Sequence, residues 1–196
     1  MVVEVKSTST AHPEPSLPDE ARLIRQAKSG DAEAFAQLYD AYVERVYRYI
    51  YFRVSDEATT EDLTSQVFLK AWENLHRYQP GNSPYLAWLY TTARNLVIDH
   101  YRSRKESVPL DEITPRASEE RTPGEESDLR SELRSMRAAL RSLTDEQQQV
   151  LTLKFIAGLP NRDIARMMNK REGAIRALQM RALQSLSKRM KEKEMI

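Results

Sequence analysis

The sequence predicts an all-helical fold of two small domains, and three observations support that prediction. Only five of its 196 residues are glycine, and apolar residues recur with the 3.6-residue period of helices along most of the chain. From Asp111 to Glu132 this pattern stops, because eight acidic residues stand there against three arginines and almost nothing is apolar. A flexible acidic linker at 107–132 is therefore expected to join a domain at 19–106 to a second domain at 133–196.

The composition limits the class of protein. Residues 1–18 are rich in serine, threonine and proline and lack a hydrophobic signal segment, which predicts a flexible tail. No apolar run approaches the roughly 20 residues that span a bilayer, so no membrane insertion is expected. Cysteine is absent, and His12, His76 and His100 have no metal-ligand spacing. The sequence predicts a soluble cytoplasmic protein without a metal or other cofactor.

The first two helices are delimited by local signals. A short helix is expected from Asp19 to Lys28, ended by Ser29-Gly30. Asp31 is a good N-cap for a second helix that runs to about Arg53. The apolar face of this second helix consists of Phe35, Leu38, Tyr39, Tyr42, Val46, Tyr47 and Ile50.

Two more helices complete the first domain. A turn at 55–60 leads to a third helix at 60–76, and a loop at 78–83 leads to a fourth at 84–101, with Ser83 as its N-cap. The inward residues of the third helix are Leu63, Val67, Phe68, Ala71, Trp72 and Leu75. Those of the fourth are Leu86, Leu89, Ala93, Leu96 and Val97. The fourth helix then becomes basic, which gives this domain a cationic end.

The second domain begins with a helix whose apolar residues are Leu129, Leu133, Met136, Leu140 and Leu143. Thr144 and Gln147 form a capping box for the next helix, which Gly158 ends. The buried residues of that helix are Val150, Leu151, Leu153, Phe155 and Ile156.

A helix-turn-helix is predicted at 159–186. Pro160 and Asn161 start its first helix, and a turn at 169–171 leads to a longer second helix. The apolar stripe of this second helix is Ile175, Leu178, Ala182 and Leu186.

The C-terminal region is strongly cationic. From Lys154 to Lys193, eleven Lys/Arg residues stand against three Asp/Glu residues, a local net charge of +8 in a chain whose formal net charge is +1. This asymmetry is typical of a surface that binds a polyanion such as DNA. A solvated face of a helical bundle is the alternative. Because the acidic linker lies between two basic helices, we hypothesise that it masks one of them in the free chain.

Four stretches carry a family resemblance: Glu61 to Trp72, Ala87 to Leu89, Ala93 to Arg102, and the helix-turn-helix. In this order around a linker they resemble the extracytoplasmic-function sigma factors. These small bacterial initiation subunits have only the second and fourth conserved regions of the housekeeping sigma family. The resemblance covers roughly residues 20–106 and 135–190. It implies a transcription initiation factor that binds RNA polymerase core and directs it to promoters, reading and melting the −10 element and reading the −35 element.

The resemblance implies protein partners as well as promoter DNA. The helix at 60–76 resembles the surface that grips the clamp coiled coil of core polymerase, and Asp62, Gln66 and Lys70 lie on its outer face at i, i+4 and i+8. An ordinary solvated stripe is the alternative for these three. The family also contacts the polymerase flap and is sequestered by anti-sigma factors, although no segment of this sequence identifies one.

The resemblance places the −10 contacts on the loop at 78–83 and on the fourth helix. Extracting a base from its stack needs a pocket and a stacking surface, so Tyr78 and Tyr85 are candidate stackers, with ordinary packing as the alternative. The residues that match the strand-separation and −10 reading helix are Arg94, Asn95, Asp99, His100, Arg102 and Arg104. Asn and Asp can bond base edges and Arg suits phosphate, but Asp99 is equally a candidate for an intrahelical salt bridge.

The −35 contacts are expected at the start of the recognition helix, where side chains reach base edges in the major groove. The residues placed there are Arg171, Glu172, Arg176 and Gln179. Lys170 and Arg181 are better suited to phosphate. An apolar residue is usual in the family at Lys170, a Ser-like cap at Arg171 and a Thr-like residue at Ala174. This departure predicts a less firmly packed turn and an unusual −35 preference.

Two other functions compete with this interpretation. A stand-alone helix-turn-helix regulator would use the C-terminal half but would leave the aromatic-rich first domain and its basic helix without a purpose. An enzyme such as a nuclease or phosphohydrolase is disfavoured. The acidic residues cluster in the linker, and the chain has no HD or HExxH pairing, no glycine-rich phosphate loop and no Ser/His/Asp arrangement. No catalytic residue is therefore predicted.

Overall fold

The computed structural model describes residues 19–81, 83–107 and 128–194, and all regular secondary structure within these ranges is helical. The predicted all-helical fold class is thus confirmed. The predicted tail at 1–18 and the central part of the predicted linker, 108–127, lie outside the described residues. The hypothesis that the linker masks a basic surface therefore stays a prediction.

The first unit consists of helices α1 (Glu20–Lys28), α2 (Ala32–Tyr51), α3 (Glu57–Asn74) and α4 (Tyr85–Ser107), with a short 3-10 turn at Leu75–Arg77. Asp31 caps α2 as predicted, because its carboxylate accepts hydrogen bonds from the backbone N–H groups of Glu33 and Ala34 at 3.0 and 3.1 Å. α3 begins earlier than predicted. Its cap is Asp56, whose carboxylate accepts from the Thr59 N–H at 2.7 Å.

Large side chains fill the first unit. Among the fully buried residues are Leu38, Val46, Tyr49, Ile50, Tyr85, Leu89 and Tyr90. The predicted inward face of α4 is buried throughout. Trp72 was expected to face inward but is 38% exposed, and it packs edge-on against Phe35 with ring centroids 4.8 Å apart.

The second unit consists of α5 (Asp128–Arg141), α6 (Asp145–Leu151), α7 (Asn161–Met168) and α8 (Glu172–Glu194). The predicted capping box of α6 is present. The Thr144 hydroxyl accepts from the Gln147 N–H at 3.4 Å, and the Gln147 side chain accepts from the Thr144 N–H at 3.3 Å. Because both bonds satisfy amides that the helix leaves unpaired, this start is well defined.

α6 does not end as an ordinary α-helix. It continues as a π-helix over Thr152–Ile156, and the Ala157 N–H donates to the Thr152 carbonyl at 2.9 Å, five residues back. π turns are rare in proteins, and many of those that do occur lie at functional sites. Phe155 lies on this wider turn and is 60% exposed, although the sequence predicted it to be buried.

The apolar stripe predicted for α5 is only partly buried. Leu140 is buried, but Leu133 and Met136 are 37% and 41% exposed. In the second unit, α6 and α8 pack extensively on each other and less on α5. The described part of α5 therefore keeps apolar side chains at the surface.

The two units are in contact, a feature that the prediction of two linked domains did not include. The end of α2 packs against the π-helical segment, and α5 bonds to the turn that follows α2. The buried apolar side chains of both units form one continuous cluster. The described residues therefore form a closed arrangement rather than two separated bodies.

Candidate nucleic-acid interface

The helix-turn-helix of the second unit is built from α7, its turn and α8. Asn169 ends α7 in the left-handed conformation at φ 52°, and the Lys170 N–H donates to the Ala165 carbonyl at 2.9 Å. Ile164 and Ile175 are fully buried between the two helices. A side-chain hydrogen bond from Gln179 to Asn161, at 3.0 Å, adds a second tie between α8 and α7. The start of α8 is thus held against a fixed support.

An open groove of about 450 Å³ lies beside this turn. Its lining residues are Arg162, Ala165, Arg166, Asn169, Lys170, Arg171 and Glu172. Arg162 and Arg166 were not singled out by the sequence analysis. Both lie near the buried carboxylate of Asp163, at 3.4 and 3.6 Å, while their own side chains are mostly exposed. Four cations around one groove form a surface that suits a phosphate backbone.

The residues predicted to read the −35 element differ in their exposure and in whether they pair with another side chain. Arg171 and Arg181 are exposed. Arg176 is exposed too and forms an ion pair with Glu172 at 3.6 Å. Arg171 thus lies at the surface just before α8, and Arg176 and Arg181 lie at the surface of α8.

Two other predicted residues are engaged within the protein. The Lys170 ammonium lies 2.9 Å from the Glu146 carboxylate, which ties the turn to the start of α6. Gln179 bonds to Asn161, as described above. Both side chains thus have a partner within the protein in this conformation. The less firm packing that the sequence predicts for the turn stays a prediction.

The basic part of α4 presents its predicted residues in two groups. Asn95, Asp99 and Arg102 are exposed, whereas Arg94 and His100 are half-buried. The Nε atom of Arg94 and the Nε2 atom of His100 are buried without a hydrogen-bond partner among the described residues. The side chain of Arg104 lies outside the described part of the chain.

The two tyrosines predicted to stack on a base are both core residues in this structure. Tyr85 is fully buried and Tyr78 is 5% exposed. Their rings pack on each other with centroids 5.3 Å apart, and both pack on Trp88. Tyr85, at the start of α4, also packs on Tyr42 of α2 with ring centroids 5.7 Å apart, so both rings are covered by other aromatic side chains. The prediction of free stacking surfaces is therefore corrected for both residues.

Tyr78 instead closes the loop that precedes α4. Its hydroxyl donates to the Ser83 carbonyl at 2.8 Å, and its own carbonyl accepts from the Lys28 ammonium of α1. Burial, assisted by the nearby Glu20 carboxylate, raises the pKa of Tyr78 to about 12. We call these two hydrogen bonds the loop brace.

A smaller groove of about 190 Å³ lies between α3 and α4. Its lining residues are Lys70, Asn74, Trp88, Thr92, Asn95 and Leu96. Lys70 was predicted to lie in the polymerase-binding stripe with Asp62. Eight helical residues advance the direction of a side chain by about 80°, so Lys70 turns away from that stripe and toward α4. The groove combines a cation, two amides and one half-buried aromatic ring.

The remaining part of the polymerase-binding stripe lies on the outside of α3. Asp62 is exposed and Gln66 is half-buried. The Gln66 amide donates to the Asp62 carboxylate at 2.8 Å, which fixes the direction of that carboxylate. The stripe therefore presents one oriented negative charge on the outer surface of α3.

The described residues hold neither a cluster of metal-binding side chains nor a membrane-spanning helix. They contain no group of three or more His, Cys, Asp or Glu side chains placed to hold a metal ion. None of the described helices is both long enough and apolar enough to cross a bilayer.

Comparison with protein families gives two matches, one in each unit. The model of Sigma-70 region 2 matches residues 38–107, and that of Sigma-70 region 4 matches residues 133–186. The chain is 43% identical over 169 residues to the ECF RNA polymerase sigma factor BldN of Streptomyces coelicolor, covering 85% of this chain and 64% of BldN. It is 32% identical over 146 residues to the ECF RNA polymerase sigma factor SigK of Mycolicibacterium vanbaalenii, covering 73% of this chain and 74% of SigK.

Two solved structures share the fold at lower identity. CnrH in complex with the cytosolic domain of CnrY is similar with a TM-score of 0.70 and 22% identity, covering 89% of this chain and 99% of that chain. The sigma factor RpoE of Bartonella quintana, in complex with the anti-sigma factor NepR, is similar with a TM-score of 0.66 and 23% identity, covering 82% of this chain and 98% of that chain.

Proposed function

The chain belongs to the family of extracytoplasmic-function RNA polymerase sigma factors, and we propose that it binds RNA polymerase core and directs it to specific promoters. In this proposal residues 19–106 read and melt the −10 element and residues 133–196 read the −35 element. Residues 108–127 link these two parts, because α4 ends at Ser107 and α5 begins at Asp128, within the linker of 107–132 predicted from the sequence. The chain acts as an initiation factor in the bacterial cytoplasm and catalyses no reaction itself.

The observation that carries the proposal is the presence of two helices with basic segments in one chain, α4 in the first unit and α8 with its turn in the second. Two linked surfaces can bind two DNA sites together, which raises affinity through effective concentration. A stand-alone helix-turn-helix regulator would need only the second surface. Binding to purified core polymerase separates the two functions, because only a sigma factor requires it.

We assign the −10 base site to the groove between α3 and α4 rather than to the buried tyrosines. Trp88 offers part of an aromatic face there, while Lys70, Asn74 and Asn95 offer hydrogen bonds to a base edge or a phosphate. Of the other predicted −10 residues of α4, Asp99 and Arg102 are exposed beyond this groove, and Arg94 and His100 are half-buried. Arg104, whose side chain lies outside the described part of the chain, is proposed from the sequence alone.

The proposed protein partners are core polymerase, through its clamp coiled coil and flap, and an anti-sigma factor. Asp62 and Gln66 support the clamp contact, since they form an oriented polar pair on the outer surface of α3. One of the similar structures holds its sigma factor together with the anti-sigma factor NepR, which supports a partner of that class for this chain.

Run-off transcription with core polymerase over a library of random promoters tests the proposal. We expect transcripts to be enriched for two sequence elements at a fixed spacing, and their formation to require this chain. A chain that binds duplex DNA but yields no transcript with core polymerase would be a stand-alone regulator.

The arginines of α8 are expected to fall into two functional classes. Replacing Arg171 or Arg176 with alanine should cost about 1–3 kcal/mol of affinity for the −35 element and relax sequence preference at one position, because each would lose a base contact. Replacing Arg181 should weaken binding to all sequences evenly and lower the salt slope by about one, because a phosphate contact carries no sequence information. Fluorescence anisotropy with specific and random duplexes at several salt concentrations measures both effects.

All three arginines are exposed, so none of these changes should alter the thermal unfolding temperature. Equal losses in the three variants on specific and random DNA would contradict a base-reading role and leave only phosphate attraction.

The loop brace is expected to support base selection at the −10 element. Tyr78→Phe removes the hydroxyl that donates to Ser83 and keeps the packed ring, so it should cost about 0.5–1.5 kcal/mol, the net contribution of one hydrogen bond. We expect this loss to appear as weaker discrimination at one position of the −10 element in the transcription library. Tyr47→Phe, which removes a hydroxyl on α2 that lies 3.4 Å from Glu57, is the matched control. Uniformly lower transcription from all promoters would mean that the hydroxyl serves stability alone.

A further inference from the structure

Two exposed arginines of α7 share one buried carboxylate. The Nε atom of Arg162 and the Nη1 atom of Arg166 lie 3.4 and 3.6 Å from the same atom, Oδ1 of Asp163. The two arginine side chains are 66% and 61% exposed, whereas that of Asp163 is 5% exposed. Arg162 and Arg166 are four positions apart on α7, so they lie on the same side of this helix. We call them the arginine pair.

The arginine pair belongs to the groove beside the turn of the helix-turn-helix. Both of its members line this groove together with Lys170 and Arg171, and Glu172 is the acidic residue of the lining. The ion pairs with Asp163 engage one nitrogen of each guanidinium. Because a guanidinium has five N–H donors, most donors of each arginine remain available to a ligand in the groove. The pair can therefore bind phosphate while each member keeps its contact with the carboxylate.

The burial of Asp163 is not explained by stability alone. A carboxylate that is withdrawn from water loses its hydration, and long contacts to two exposed arginines restore only part of what is lost. A carboxylate in the first turn of a helix does interact favourably with the helix dipole, but an exposed one does so without the cost of burial. What burial adds is a fixed position. A carboxylate held by its surroundings can hold two long side chains that would otherwise move in solvent.

A fixed position matters for affinity because an arginine side chain loses rotamer freedom when it binds a ligand. An arginine that an ion pair already holds at the groove loses less of this freedom on binding phosphate. The charge of Asp163 acts in the opposite direction, because a carboxylate repels the phosphate that the arginines attract. The two effects of the same side chain therefore have opposite signs, and a measurement can separate them.

We propose that Asp163 is a positioning residue for DNA binding, and that its carboxylate holds the arginine pair at the groove, where both guanidinium groups bind phosphates of the DNA backbone. This inference deepens the proposed function and rests on its DNA-binding part, since it identifies contacts that fix the helix-turn-helix on duplex DNA. Such contacts carry no sequence information, because every base pair has the same phosphates. Asp163 itself touches no DNA.

Binding of the full chain to a random-sequence duplex, measured by fluorescence anisotropy at several salt concentrations, tests the proposal. Asp163→Asn should weaken binding by about three- to tenfold at low salt. It should also lower the slope of log affinity against log salt by about one to two, because up to two phosphate contacts are lost. If the carboxylate acted only through its charge, the same substitution would tighten binding instead, and this result would overturn the proposal.

Asp145→Asn is the matched control. Asp145 is also an aspartate in the first turn of a helix of the second unit, but its side chain is exposed. The substitution removes the same charge and leaves the arginine pair in place. Affinity for the duplex should therefore stay level or rise slightly, and the salt slope should not fall. A loss in Asp145→Asn equal to that in Asp163→Asn would overturn the positioning role.

The arginine pair provides a second, independent arm. Arg162→Ala with Arg166→Ala removes only exposed side chains and should lower the salt slope by about two. Adding Asp163→Asn to this double variant should cause no further loss, because no arginine is left to be positioned. An unchanged slope in the double variant would overturn the proposal even if Asp163→Asn failed to fold. So would a further loss in the triple variant as large as that of Asp163→Asn alone.

Thermal melts followed by circular dichroism separate positioning from support of the helix. A carboxylate that only stabilises α7 would, when replaced, lower the unfolding temperature and leave the salt slope of the folded chain unchanged. That combination would overturn the proposal, whereas a lower slope in a folded variant supports it.

The random duplex contains no promoter and the assay needs no polymerase, so its result stands apart from run-off transcription. A lower slope in Asp163→Asn together with no transcript from wild type and core polymerase would overturn the initiation function and retain the arginine pair as a site for duplex DNA. Transcription that requires this chain, with an unchanged slope in Asp163→Asn, would overturn the positioning role alone. Failure of the wild-type chain to bind the random duplex at low salt would overturn it as well.

Discussion

Replacing Asp62 with arginine and Gln66 with alanine is expected to weaken binding to RNA polymerase core by more than about 2 kcal/mol, the usual cost of losing a central contact. The change inverts the charge of a carboxylate that Gln66 orients at 2.8 Å and removes the group that orients it. Neither residue belongs to the buried cluster, so the thermal unfolding temperature should hardly change. Titration of a labelled chain with core polymerase and a thermal melt measure the two effects.

Glu61→Arg with Ser65→Ala provides the control, because both residues are exposed on α3 and the charge change is the same. These positions precede Asp62 and Gln66 by one residue each, so their side chains point about 100° away around the helix. The control should retain nearly full affinity for core polymerase. Equal losses in both double variants, or unaltered affinity in the first, would remove the clamp contact from this stripe.

Replacing Ile175 with alanine is expected to lower the free energy of unfolding of the second unit by about 2–5 kcal/mol. Ile175 is fully buried, and its removal leaves a cavity where α8 packs on α7. Small domains have a total free energy of unfolding of only about 5–15 kcal/mol. The substitution would therefore remove a large fraction of the stability that holds the recognition helix in place. Urea unfolding followed by circular dichroism measures the loss, and binding to the −35 duplex should fall with it.

Met180→Ala on the same helix is the matched control. Met180 is 60% exposed, so its truncation should change stability by no more than about 0.5 kcal/mol. If Ile175→Ala and Met180→Ala unfold at the same urea concentration, α8 is not held by this buried contact and the helix-turn-helix packing described above is wrong.

Features that depend on neighbouring residues could be predicted from the sequence. The cap at Asp31 and the capping box at Thr144 are decided by side chains and amides two or three positions apart. The inward face of α4 follows from its helical period alone. The family resemblance then supplied the order of the two units.

Features that depend on distant residues could not be predicted in this way. A hydrogen bond joins Arg137 to Val54, which is 83 positions earlier, and no local pattern distinguishes this arginine from its exposed neighbours on α5. Burial of Tyr78 and Tyr85 likewise depends on how α1 and α2 cover the start of α4. That Lys70 also lines the groove between α3 and α4 depends on how these two helices pack, while its place in the polymerase-binding stripe stays a prediction.

The π turn at Thr152–Ile156 has a consequence for how sequences of this kind can diverge. Its bond over five residues accommodates one more residue than an α-helical turn would. Deleting one residue there would restore an α-helical turn and leave the direction of the following segment nearly unchanged, because the wider turn already absorbs that residue. Relatives are therefore expected to differ by one residue in the length of this segment without a change in the direction in which the recognition helix points.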